Sequence, residues 1–229
     1  MNAKDSLIPQ EPIPAGTDEF SRQGLLDGKP KDEAPANKAP ANKALEGTDD
    51  MLDRIAAGLY SMASMLVGEG EDSIGLVETA VERTEIPAGG DAGEARRSSR
   101  TALCTAAIEL IAARNPGSLA APEGLVHAST CIEDDDLDAA GISRAELEAM
   151  LAGPDRASVK NWIESLGTLT RVIFVLRAVA GFTADETAAM LSQHGGKGAV
   201  GWNADAVREF FRQGMCSLAS QLIHATTAK

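Results

Sequence analysis

The stretch Leu166–Ile223 constrains the fold of this chain more than any other. Its apolar residues Leu169, Val172, Ile173, Leu176, Val179 and Ala180 recur at three- and four-residue spacing, which makes one face of a helix. Gly181 stops that helix, as a residue free to take the left-handed C′ conformation does. Thr183 then serves as an N-cap, and Glu186 three positions later completes a capping box. The short helix so opened turns Thr187, Ala188, Met190 and Leu191 toward the core. After the glycine-rich loop His194–Gly201, Asn203 caps a longer helix with Val207, Phe210, Phe211, Met215, Leu218, Leu222 and Ile223 on its buried side. A long helix, a short capped helix and a final long helix form a helix-turn-helix frame.

The remaining sequence points the same way. Aromatic residues make up only 3% of the 229, no run alternates apolar and polar residues between turns, and Ala, Leu and Glu are plentiful. The expected fold class is therefore all-α: two small helical domains joined by an acidic linker, a C-terminal helix-turn-helix and a disordered N-terminal tail. Residues 1–48 hold six prolines and the tandem repeat Ala-Pro-Ala-Asn-Lys at 34–38 and 39–43, a composition that cannot bury enough apolar surface to order itself.

Residues 49–115 form the first helical domain. A helix over about 50–67, with Asp49 and Asp50 as N-cap candidates, buries Ile55, Leu59, Met62, Met65 and Leu66. A turn at Gly68–Glu71 leads to a second helix that runs toward Pro87. A third, about 94–114, buries Leu103, Ala106, Ala107, Leu110 and Ile111. Residues 116–154 read as a mostly irregular acidic linker, with Pro116, Pro122, Pro154 and the run Glu133–Asp136, and with a short helix over Ser143–Leu151. Residues 155–229 form the helix-turn-helix domain.

The sequence "LGTLTRVIFVLRAVAGFTADETAAML" resembles the C-terminal promoter-reading domain of extracytoplasmic-function RNA polymerase sigma factors. The matching residues are Leu166, Arg171, Val172, Phe174, Leu176, Arg177, Gly181, Phe182, Thr183, Glu186, Thr187, Ala188 and Leu191. "LVGEGEDSIGLVETAVE" is similar to the block of that family whose acidic helix face docks on the clamp helices of core RNA polymerase, with Glu71, Asp72, Leu76, Val77 and Thr79 matching. Gly75 stands where the family has an aspartate, and Glu78 where it has glutamine. The helix ending in Ala113, Arg114 and Asn115 is similar to the one that reads and opens the −10 element, although the family's tryptophan is absent.

The resemblance implies a transcription initiation factor that binds core RNA polymerase and promoter DNA. By it, Glu71, Asp72, Leu76 and Glu78 are polymerase contacts. Arg208 and Arg212, four apart and so on one helix face, are candidate DNA contacts together with Lys197 and Asn203 at the start of that helix. Arg96, Arg97 and Arg100 are candidate phosphate contacts.

Charge cuts against a DNA binder. The net charge is −13. From Asp155 onward eight Lys/Arg against six Asp/Glu leave +2, so the first 154 residues carry −15. Glu209 also sits between the two arginines, and Gly214 interrupts their helix. The rival expectation is a sigma-fold mimic or protein-interaction module that binds an anti-sigma factor without promoter activity. An ordinary helix-turn-helix regulator is a third.

Other chemistries find little support. The loop HGGKGAVG lacks P-loop spacing and follows no strand, and Trp202 after it reads as a packing anchor. His127 and Cys131 are four apart, and His224 stands alone, without the paired spacing of a zinc site. No nucleophile–base–orienter set or cofactor fingerprint is present, so an enzyme is not expected. Three cysteines, odd in number and far apart, suit reduced thiols in a cytoplasmic protein. No apolar run approaches a membrane span.

Overall fold

In a computed structural model the described residues, 55–84, 91–124 and 131–227, form helices and turns, with no strand among them. The tail, Asp49, Asp50 and His127 lie outside them, as does the side chain of His224.

Helix α1 (55–67) buries Leu59, Met62, Ala63, Met65 and Leu66. Helix α2 (Glu71–Arg83) packs against α3 (Ala92–Arg114). Both α2–α3 ion pairs lie at the surface: Asp72 takes two bonds from Arg114 at 2.5 and 2.6 Å, and Glu109 takes Arg83 at 3.1 Å. Helix α2 continues unbroken across Gly75, and the hydroxyl of Thr79 donates back to the Gly75 carbonyl at 2.8 Å, one turn earlier.

The described part of 116–154, expected as a mostly irregular acidic linker, contributes side chains to the core. Leu119, Ile132, Leu137, Ala140, Ile142 and Leu147 are all buried in the same core as α1–α3. A 3-10 turn (Leu137–Ala140) precedes α4 (Arg144–Ala152), and a reciprocal capping box of Ser143 and Glu146 starts α4. Helix α5 (Arg156–Ser165), which no periodicity argument had singled out, buries Val159, Trp162 and Ile163.

Helix α6 (Thr168–Phe174) continues as a wider π-helical turn, Val175–Ala180. Val172 through Leu176 are all buried, so this segment is enclosed rather than striped. Gly181 takes a left-handed φ of 86°, and the expected capping box forms at α7 (Ala184–His194), with Thr183 Oγ1 accepting from the Glu186 N–H and Glu186 Oε2 from the Thr183 N–H. A 3-10 turn (Ala199–Gly201) follows, and Asn203 Oδ1 caps α8 (Ala204–Thr227) through the Ala206 N–H at 2.9 Å.

Two expectations for α8 need correction. Ile223 is 62% exposed and not on the buried side, whereas Val207, Phe211, Met215 and Leu218 are buried. Gly214 does not interrupt the helix. It lies where α8 crosses α6, and a Cβ there would stand 3.0 Å from Phe174 Cδ2, so glycine allows the close approach.

The cysteines are the third correction. Cys131 and Cys216 form a disulfide with Cα atoms 5.7 Å apart, while Cys104 is free and buried. Linear separation hid the pair, since the two cysteines stand 85 positions apart in the chain. No described helix is long and apolar enough to cross a membrane.

Candidate nucleic-acid interface

The arginines of α8 are already engaged. Arg208 pairs with Asp205 at 2.7 Å and with Asp135 at 3.5 Å. Arg212 pairs with Glu209 at 2.9 Å and donates to the Glu133 carbonyl at 3.0 Å. Arg177, from the π-helical turn, donates to the Asp135 carboxylate at 2.8 Å and to its carbonyl at 3.1 Å, and lies over the Phe211 ring at 4.9 Å. Burial holds the Arg177 pKa below its ordinary value, with Asp135 opposing. Sequence spacing grouped Arg208 with Arg212 correctly but missed Asp135, which folding brings in from the acidic run. Lys197 and Asn203 are exposed, and the Asn203 side-chain oxygen is used in the cap.

A different set of guanidiniums is less committed. Arg96, Arg97 and Arg100 of α3, with Arg144 of α4, line an open cleft of about 320 Å³ together with Ala180, Gly181 and Phe182. Arg97 reaches Glu186 at 2.6 Å, and Arg144 donates to the Arg177 carbonyl at 2.9 Å. A Cβ on Gly181 would fall 2.8 Å from Arg144 Nη1, so the turn that ends the π segment also seats this guanidinium. Among the described residues Arg96 and Arg100 have no ion-pair partner, which leaves their donors available to phosphate oxygens. Arg144 was not among the expected contacts; only folding sets it beside α3.

The proposed polymerase face divides. Leu76, expected as a polymerase contact, is buried in the core on the helix that packs against α3, not at the surface. Asp72 is held by Arg114, whose hydrogen bond lowers the Asp72 pKa. Glu71 and Glu78 are exposed, and with them Ile74 and Val81, 50% and 59% exposed. These four recur at three- and four-residue spacing along the outer face of α2. The two aliphatics went unnoticed in sequence because a lone exposed apolar residue carries no periodic signal.

The glycine-rich loop packs against protein, not an open cradle. The Ala121 N–H donates to the Gly198 carbonyl at 2.9 Å, and a Cβ on Gly198 would sit 3.0 Å from that of Ala120. Trp202 is buried and donates to the Leu119 carbonyl at 2.8 Å, the packing anchor expected of it. Among the described residues no group of three or more His, Cys, Asp or Glu is arranged to hold a metal ion. No protein-family model, curated protein or solved structure matches the chain.

Proposed function

We propose that this chain is a sigma-factor-like transcription initiation factor that docks on core RNA polymerase through the outer face of α2 and contacts promoter DNA. The observation that carries the reading is the α2 face itself. Exposed Ile74 and Val81 stand among Glu71 and Glu78, an apolar-and-acidic stripe suited to a basic, partly apolar helical partner. The cleft of Arg96, Arg97, Arg100 and Arg144 would hold DNA phosphates. The segment α6–α8, turned at Gly181 and capped at Thr183, is read as the helix-turn-helix, with α8 as its recognition helix. Pull-down with purified core polymerase tests it: wild type associates, and Ile74→Glu/Val81→Glu does not. Failure of the wild type to associate removes the reading.

A second reading has its own observation in favour. Arg208 and Arg212 are occupied by acidic groups of the same chain, which suits a sigma-fold mimic that binds an anti-sigma factor and not a promoter. Run-off transcription with purified components separates the two, since the mimic yields no transcript.

A further inference from the structure

The guanidiniums of α8 are covered by a strap of chain drawn from the acidic segment. Asp135 places one carboxylate against both Arg177 and Arg208, and the Glu133 carbonyl meets Arg212. The strap thus sets anionic and carbonyl oxygens where the phosphate oxygens of a polyanion would lie. Its fit is incomplete. Nε of Arg177 and Nε of Arg212 are buried donors with no hydrogen-bond partner, and unmet donors favour a ligand whose acceptors satisfy them better.

Attachment of the strap is uneven. From Leu137 onward the chain is fixed by buried Leu137, Ala140 and Ile142. In residues 131–136 the only buried side chain is Ile132, and the covalent hold is the bond from Cys131 to Cys216 on α8. Cys131 is an exposed residue at the start of the strap, and thiol–disulfide exchange proceeds by attack of a thiolate on one sulfur of such a pair.

We propose that the Arg177–Arg208–Arg212 face is a polyanion-binding surface occupied by this acidic strap, and that the Cys131–Cys216 disulfide latches the strap closed. A dithiol opens the latch by thiol–disulfide exchange. Its first thiolate attacks one sulfur and forms a mixed disulfide while the Cys131–Cys216 bond breaks; its second thiol displaces the protein sulfur. The reductant leaves as a disulfide, having given up two electrons and two protons, and Cys131 and Cys216 are left as thiols. Once freed at that end, the strap competes as a tethered anion against nucleic acid, whose row of phosphates neutralises several arginines at once. The proposal rests on α8 being the DNA-facing helix, as read above.

The test is fluorescence anisotropy of the full chain with a labelled duplex DNA of arbitrary sequence at low salt, before and after dithiothreitol. Reduction tightens binding by roughly tenfold or more, and Arg208→Ala/Arg212→Ala removes that gain. Asp135→Asn, which keeps the disulfide, tightens binding of the oxidised protein. Equal affinity in both redox states with no effect of Asp135→Asn, or a gain that survives the double arginine substitution, overturns the latch. Polymerase association of the oxidised protein, measured alongside, keeps the two proposals apart. A redox gain without polymerase binding sinks only the sigma reading, and polymerase binding without a redox gain sinks only the latch.

Discussion

Gly214 of α8 lies so close to Phe174 of α6 that a methyl group at Gly214 would stand 3.0 Å from the ring. Phe174 cannot move aside, being fully buried between Trp162, whose ring centroid is 5.0 Å away, and Phe211 at 5.6 Å. Alanine is a better helix former than glycine by roughly 1 kcal/mol, but overpacking a closed contact costs about 1–3 kcal/mol. The second effect wins. Gly214→Ala should lower stability by about 1 kcal/mol, read as a lower urea midpoint at unchanged slope.

Thiol reactivity should fall into three classes. Burial pushes the Cys104 thiol up to about 12, so it is neither ionised nor reachable in the native protein. A thiol-specific reagent should find no group in the native oxidised protein, one after denaturation without reductant, and three after denaturation with it. Three reactive groups in the unreduced, denatured protein would mean that Cys131 and Cys216 are not joined.

Glu186 serves two elements at once, capping α7 at Thr183 and pairing with Arg97 of α3. The backbone hydrogen bond from Thr183 is the main cause that holds its pKa below the ordinary value. A depressed carboxylate pKa contributes stability above the unfolded value, near 4.5, and loses it as pH falls through the lower folded value. Glu186→Gln should therefore flatten the fall in stability below about pH 4.5. Glu186→Ala, which also loses the reciprocal cap, should cost about 1 kcal/mol at neutral pH. Thermal melts of the three proteins across pH 3–7 check both.

Trp202→Phe keeps most of the ring that packs against Phe210 but removes the donor to the buried Leu119 carbonyl. An unmet buried acceptor costs roughly 1–3 kcal/mol. The loss should appear in equilibrium unfolding, with the other tryptophan, Trp162, as the fluorescent reporter.

Salt should discriminate between the arginine sets. Arg96→Ala/Arg100→Ala should weaken DNA binding in both redox states and flatten its salt dependence by about one to two phosphate contacts. A variant with wild-type affinity and slope would show that the α3 cleft is not a phosphate site.

Much of the framework was legible because it rests on local rules. The Thr183–Glu186 box, the left-handed Gly181, the Asn203 cap and the short helix after Ser143 follow from neighbours within four residues, whose geometry a helix fixes wherever it sits. Helix α5 has no side-chain cap at its N-terminus, so it lacks the local start signal that marks α4 and α7. Ile223 was misassigned for a related reason: a helix face continues in sequence past the point where the core it packs on has ended.

What the sequence determined by itself was the helical character of the chain, its caps and turns, and the pairing of side chains three or four positions apart. Only the tertiary structure decided which charges meet: Asp135 with Arg177 and Arg208, Arg144 beside α3, Cys131 with Cys216. The physical reason is range. Caps and periodicity act within one or two turns, whereas ion pairs and disulfides depend on distances of a few ångströms between residues tens of positions apart, which exist only after the core has closed.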